Sequence, residues 1–202
     1  MSENKPSDRR TLKTKKAIFQ AFSELLKEKE LRKITVQEIV DKADISRVTF
    51  YKYYLDVYDL YDKIESELLT NIGLITLQLS DKPYDNFFKE IINYIYNNRA
   101  TFDMVFSPNS TNKLRDKLSR IIEGILKKIY SEKLNIPIDS EDLAYICCYR
   151  SSGFLAVIQK WVQNGFSQSC EIMVKHISLF DDNIEKIFES KRKKIIAKEE
   201  KI

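Results

Sequence analysis

The sequence is poor in the two residues that most often punctuate turns, with four glycines and four prolines in 202 residues. Folds built from many short strands need frequent turn residues between them, so this scarcity argues against a strand-rich chain. No apolar run approaches the roughly 18 residues of a membrane span, and the first sixteen residues lack the apolar core of a signal peptide. We therefore expect an all-α, cytoplasmic protein with no membrane partner.

Cysteine and histidine, two of the residues that often carry catalysis or bind metals, are also scarce. Three cysteines, two of them adjacent (Cys147 and Cys148), form neither a disulfide framework nor a metal-ligand spacing, and His176 is the only histidine. The sequence contains no glycine-rich phosphate loop and no nucleophile motif. It therefore predicts no catalytic residue, no cofactor and no metal.

What the sequence does contain is an uneven distribution of charge. The whole chain has a net charge of +4, and Met1–Lys16 alone carries six basic and two acidic residues. Such a segment is either a solvated tail or a basic arm that accompanies a nucleic-acid-binding element. Charge alone leaves both interpretations open.

The segment Ile34–Tyr54, ITVQEIVDKADISRVTFYKYY, has the pattern of two short helices joined by a tight turn. Thr35 and Glu38 have the spacing of a capping box at the start of the first helix. Ser46 can cap the second helix, and Asp44 tolerates the left-handed backbone that a tight turn requires. A helix, a short turn and a second helix together form the helix-turn-helix pattern.

The second helix, predicted over Arg47–Tyr54, has two different faces. At about 100° per residue, Phe50 and Tyr54 point inward, and the outward face consists of Val48, Thr49, Tyr51 and Lys52, with Arg47 and Tyr53 at its edges. An outward valine beside a lysine suits a helix in a DNA major groove, where side chains meet base edges and phosphates. A surface helix whose tyrosines lie flat on their neighbours is the alternative.

These residues resemble the N-terminal domain of the TetR/AcrR family of transcriptional regulators over about residues 8–70. The positions that match the family pattern are Ala43, Ile45, Ser46, Thr49, Phe50, Tyr51, Tyr53, Asp56 and Leu60. The segments NNRATFDMVF and GFLAVIQKWVQNGF resemble the regulatory domain of a subgroup that includes regulators similar to the dihydroxyacetone kinase activator. We therefore expect about nine helices: a three-helix helix-turn-helix DNA-binding domain over 8–70, and a ligand-binding and dimerisation domain over 71–190.

The resemblance also implies roles for individual residues. Those expected to hold phosphates are Thr35, Thr49 and Tyr53, with Lys13 or Lys16 steadying the DNA backbone, and those expected nearest the base edges are Arg47, Val48, Tyr51 and Lys52. It implies a repressor that binds a pseudo-palindromic, double-stranded operator as a homodimer. Three residues depart from the family pattern: Asp44 and Val48 replace glycines, and Val57 replaces a lysine. The alternative function is a protein-binding transcriptional co-regulator with weakened DNA contacts.

The segment Ser140–Asn164 is apolar on nearly all sides, so it is either a central core helix or a helix that is covered by a second copy of the chain. We expect the homodimer to form through this segment and through Gln168–Phe180, and to include Phe154 and Trp161. Arg150 interrupts the apolar pattern. It is either one partner of an ion pair or the anchor of a small-molecule effector pocket lined by Tyr94, Phe102, Met104, Phe106 and Phe154. The domain could equally receive a protein partner.

Overall fold

The computed structural model describes residues 6–79, 84–111, 113–134, 137–180, 183 and 186, and the regular structure in these ranges is entirely helical. A short 3₁₀ turn, Leu31–Lys33, joins the first two helices. The helices are α1 (Pro6–Glu28), α2 (Val36–Ala43), α3 (Arg47–Tyr51), α4 (Val57–Leu79), α5 (Tyr84–Asn97), α6 (Arg99–Val105), α7 (Lys113–Leu134), α8 (Glu141–Gln163) and α9, which is helical over residues 170–180. The predicted all-α fold of about nine helices is confirmed for this part of the chain.

The chain packs into two units that are not contiguous in sequence. The first contains the residues up to Ile72 together with Asn98–Leu114, and the second contains Gly73–Asn97 and the residues from Arg115 onward. Asn98–Leu114 lies within the predicted C-terminal domain, whereas the structure packs α6 and the turn after it with α1.

The core of the first unit is built around α1. Side chains with no exposed surface come from each of its first four helices: Ile18, Phe22, Leu26, Ile39, Phe50 and Leu60. The three on α1 recur at spacings of four residues, which is the periodicity of one helix face. No side chain from Arg9 to Ala17 is buried, so the basic first half of α1 remains available to solvent or to a ligand.

The segment Asn98–Leu114 is fastened to the C-terminal end of α1. The Asn109 side-chain amide donates to the carbonyl oxygens of Leu26 (3.0 Å) and Lys27 (3.2 Å), and the Asn109 carbonyl accepts from the Leu31 amide (3.2 Å). An ion pair of 2.7 Å joins Lys27 to Asp103 on α6. The last carbonyls of a helix have no partner within the helix, so Asn109 satisfies groups that would otherwise need water.

The second unit is organised around α8. Ser140 and Asn164 flank Glu141–Gln163, so the predicted limits of this helix agree with the structure. Leu143 and Cys147 of α8 pack with Leu126 and Tyr130 of α7 in one buried cluster. Burial raises the pKa of the Cys147 thiol to about 11, as expected for a cysteine that fills a core.

A Schellman motif ends α8. The Gly165 amide donates to the Val162 carbonyl (2.8 Å) and the Phe166 amide donates to the Trp161 carbonyl (3.0 Å), with Gly165 in the left-handed region at φ 64°. Trp161 donates from Nε1 to the Gln168 carbonyl (2.9 Å), and it is only 2% exposed. It is therefore a core residue of its own unit, not a side chain that a second copy must cover.

One glycine substitution tests the end of α8, and a second, in α7, serves as its control. Gly165→Ala should lower the free energy of unfolding by roughly 1–2 kcal/mol, because a β-carbon is disfavoured at positive φ. Gly124→Ala, within α7, should raise it by roughly 0.5–1 kcal/mol, because the added β-carbon meets nothing within 4 Å and alanine favours the helix. Urea denaturation measures both, and a shift of both variants in one direction would contradict the assignment.

Candidate nucleic-acid interface

Reciprocal hydrogen bonds fix the start of α2. The Glu38 amide donates to Thr35 Oγ1 (3.3 Å), and the Thr35 amide donates to Glu38 Oε2 (3.0 Å), so the predicted capping box is confirmed. The Thr35 hydroxyl also donates to Glu38 Oε2 (2.9 Å). Lys29 is the residue directly after α1, and its ammonium donates to the other oxygen of the same carboxylate, Glu38 Oε1. Bonds from Lys29 and from Thr35 lower the pKa of Glu38 to about 2.

The turn between α2 and α3 uses the residues that the sequence predicts. Asp44 lies in the left-handed region, with φ 53° and ψ 51°, and the Ile45 amide donates to the Val40 carbonyl (3.1 Å). Ser46 caps α3 by accepting from the Thr49 amide (3.1 Å), and its hydroxyl lies 2.9 Å from that of Thr49. The helix-turn-helix geometry is therefore present in the first unit.

Helix α3 ends at Tyr51, so the predicted end at Tyr54 is wrong by three residues. The amides of Tyr53 and Tyr54 both donate to the Phe50 carbonyl, at 2.9 and 3.0 Å, which tightens the chain into a turn. The next amide, that of Leu55, donates to Asp59 Oδ2 (2.8 Å) at the start of α4. The helix cannot continue through Leu55, because the Leu55 amide already donates to the Asp59 carboxylate of α4.

The two faces of α3 have the predicted directions. Phe50 has no exposed surface and Tyr54 is 9% exposed, which confirms the inward pair. Val48 is 81% and Tyr51 is 54% exposed. Of the remaining predicted contact residues, Arg47 and Lys52 are exposed, and Thr49 and Tyr53 are half-buried. The face turned to solvent therefore combines cations, a hydroxyl and an apolar side chain.

Tyr53 connects the end of α3 with the basic half of α1. Its hydroxyl donates to Thr11 Oγ1 (3.5 Å), and the ammonium groups of Lys15 and Lys52 each lie 5.9 Å from its ring centroid. Lys15 shares a face of α1 with Thr11, four residues earlier, whereas Lys13 lies about 200° round the helix from Thr11. Lys15 is not among the predicted contact residues, because its partner Tyr53, just after α3, lies far away in the sequence.

A second lysine missed by sequence analysis holds the connection between α3 and α4. Lys63 donates to the Tyr53 carbonyl (2.9 Å) and to Asp59 Oδ2 (2.8 Å), and it lies 5.4 Å from the Tyr54 ring centroid. The Asp59 amide donates to Asp56 Oδ1 (2.8 Å), so Asp56 caps α4. The spacing of Asp59 and Lys63 predicts their ion pair, but nothing local predicts the bond to Tyr53.

The residues of the predicted effector pocket divide between the two units. Phe102, Met104 and Phe106 are buried in the first unit, and Tyr94, Arg150 and Phe154 belong to the second. Arg150 is 5% exposed, and its guanidinium lies 4.7 Å from the Tyr130 ring centroid, a cation–π distance. This contact gives Arg150 a structural role within its own unit, and the effector pocket stays a prediction.

Within the described ranges, no group of three or more His, Cys, Asp or Glu side chains could hold a metal ion. Likewise, none of the helices described is both long enough and apolar enough to cross a membrane.

Comparison with known proteins adds a family and several similar folds. A model of the C-terminal region of TetR-type transcriptional regulators matches residues 83–195, more than half of the chain. The similar solved structures include the dihydroxyacetone kinase operon activator DhaS (21% identity, TM-score 0.53, covering 85% of this chain and 96% of that one). They also include a TetR transcriptional regulator from Streptococcus agalactiae (23% identity, TM-score 0.57, covering 85% of this chain and 94% of that one). A third is a putative fatty acid metabolism regulator from Clostridium perfringens (22% identity, TM-score 0.63, covering 83% of this chain and 96% of that one). No curated protein matches the chain.

The cap of α2 generates a prediction about acid stability. The folded-state pKa of Glu38, about 2, lies below its ordinary value of 4.5, so the folded chain favours the carboxylate. This contribution to stability is complete above about pH 4.5 and is lost as the pH falls towards 2. The free energies of unfolding of Glu38→Gln and Lys29→Met should therefore differ most from that of the parent protein near neutral pH and least near pH 2. Urea midpoints across this range measure the difference, and profiles that stay parallel throughout would refute the role of Glu38.

Proposed function

Because the chain belongs to the TetR family of transcriptional regulators, we propose that it is a repressor that binds a double-stranded operator through α3. The observation that carries the proposal is the exposed face of α3, held outward by the burial of Phe50. A short helix that presents cations and hydroxyls around an exposed valine matches the mixed chemistry of a major groove.

The proposed interface has two parts. Arg47, Val48, Tyr51 and Lys52 lie nearest the base edges, where arginine and lysine donate to guanine acceptors. The phosphate contacts come from Thr35, Thr49 and Tyr53, together with the lysines of α1. To the predicted Lys13 or Lys16 we add Lys15, which we rank above both because its ammonium lies 5.9 Å from the Tyr53 ring centroid. Phosphate contacts orient the protein on the duplex, and base contacts give it sequence preference.

The proposal also includes a homodimer formed through α8 and α9. One face of α8 is buried in its own unit, and the other exposes Tyr145, Tyr149 and Ala156 in a stripe that also includes Ser152. On α9, the apolar side chains of Ile172, Leu179 and Phe180 are exposed. Exposed apolar side chains on two helices that follow one another in the chain are typical of interaction surfaces, and a second copy supplies a matching face.

Selection from a randomised duplex library tests the function. We expect the full-length protein to enrich a pseudo-palindrome whose half-site centres lie about one helical turn, roughly 34–36 Å, apart. On that duplex, Lys15→Ala should weaken binding and reduce the salt dependence of log K by about one unit, because one phosphate contact is lost. Lys13→Ala, on another face of the same helix, should have a smaller effect.

Two outcomes would contradict these statements. If the protein enriches no sequence over random DNA at moderate salt, operator binding is wrong and the co-regulator alternative gains support. If Lys13→Ala weakens binding as much as Lys15→Ala does, the priority given to Lys15 is wrong.

Sedimentation tests the dimer independently of DNA. Tyr149 is 66% exposed, so Tyr149→Glu should leave the fold intact and shift the protein towards monomer at micromolar concentration, since a charge would be buried without a partner. Ile138→Glu is the matched control, because Ile138 is exposed in the same unit but precedes α8. A parent protein that sediments as a monomer would overturn the proposal.

A further inference from the structure

Val48 is the most exposed of the large apolar side chains in the described part of the chain. Exposure of a valine on a helix brings no packing energy, and a β-branched residue is a weaker helix former than alanine, lysine or glutamine. The protein therefore gains nothing from a valine here through its own stability. A bound ligand with an apolar group at this position would bury the valine and so account for it.

The position of Val48 in α3 restricts its side-chain conformation. It is the second residue of α3, whose N-terminal end Ser46 caps, and the Ser46 and Thr49 hydroxyls lie 2.9 Å apart in that cap. A β-branched side chain on a helix has one strongly preferred rotamer. In helix-turn-helix proteins, the N-terminal residues of the second helix contact base edges. Val48 thus lies in the part of α3 that contacts base edges in such proteins.

The chemistry of the major groove then selects one base. Guanine, adenine and cytosine present polar donors and acceptors there, and thymine alone adds an apolar group, its C5 methyl. A valine against a polar edge would remove hydrogen-bonding groups from water without replacing their bonds, which costs free energy. Contact with a methyl group has no such cost and removes apolar surface from water.

We propose that Val48 reads thymine, with its methyl groups against the C5 methyl of one thymine in each operator half-site. This inference rests on the proposed function, because it assumes that α3 enters the major groove. Tyr51 and Lys52 lie one helical turn further along the same face, so polar contacts to neighbouring base pairs accompany the apolar one.

The test removes the methyl from the DNA and from the protein in turn. The probe is the duplex that full-length protein enriches from a randomised library, with each half-site thymine replaced in turn by deoxyuridine, which keeps the base pairing. At one position per half-site, the loss of the methyl should weaken binding about fourfold, the effect of one buried CH₂ group. Symmetric replacement in both half-sites should weaken it by about 15-fold.

A double-mutant cycle assigns the contact to Val48. Val48→Ala should weaken binding to the thymine duplex and should make the protein nearly indifferent to deoxyuridine at that position. Thr49→Ala, on the neighbouring residue, should weaken binding while keeping the full sensitivity to deoxyuridine, because it alters a phosphate contact. Fluorescence anisotropy at fixed salt gives all the affinities.

Each other result has a distinct meaning. If deoxyuridine binds as well as thymine at every half-site position, the thymine contact is wrong while operator binding stands. If Val48→Ala keeps the sensitivity to deoxyuridine, another residue reads the methyl and the assignment to Val48 is wrong. If the library yields no enriched duplex, the proposed function itself fails.

Discussion

The burial of Phe50 is the constraint on which the proposed interface depends. Helix α3 has five residues, far fewer than the roughly 12–15 that an isolated helix needs to be even marginally stable in water. Its shape therefore comes from its surroundings: the Ser46 cap at one end, the buried ring of Phe50 within it and the buried ring of Tyr54 just after it. Because the helical step fixes every other direction once Phe50 points inward, the core determines which side chains face a ligand.

Polar contacts at the helix ends fix position more than they add stability. Lys29 joins the end of α1 to the capped start of α2, and Lys63 joins the end of α3 to the start of α4. These side chains are partly exposed, and exposed ion pairs contribute only about 0–1 kcal/mol each. Their importance is geometric, since Lys29 and Lys63 each hold the end of one helix close to the start of the next.

The range of each interaction along the chain explains what the sequence could predict. The Thr35–Glu38 box, the Ser46 cap and the Asp44 turn all involve residues within five positions of each other, so local patterns predict them. The early end of α3 depends on α4 using the Leu55 amide, and Lys15 acquires its role from Tyr53. The attachment of Asn109 to Leu26 spans 83 positions. No local pattern carries such information, and these are the features that sequence analysis missed.

The attachment of Asn109 to α1 has a consequence for how the gene can be divided. The chain passes between the two units three times, so no single cut separates one unit from the other. A recombination event that exchanged everything after Ile72 would also replace the residues that cap the Leu26 and Lys27 carbonyls. During synthesis, likewise, the ribosome must deliver the first twenty-five residues of the second unit before the first unit is complete. The boundary in the coding sequence therefore differs from the boundary in space.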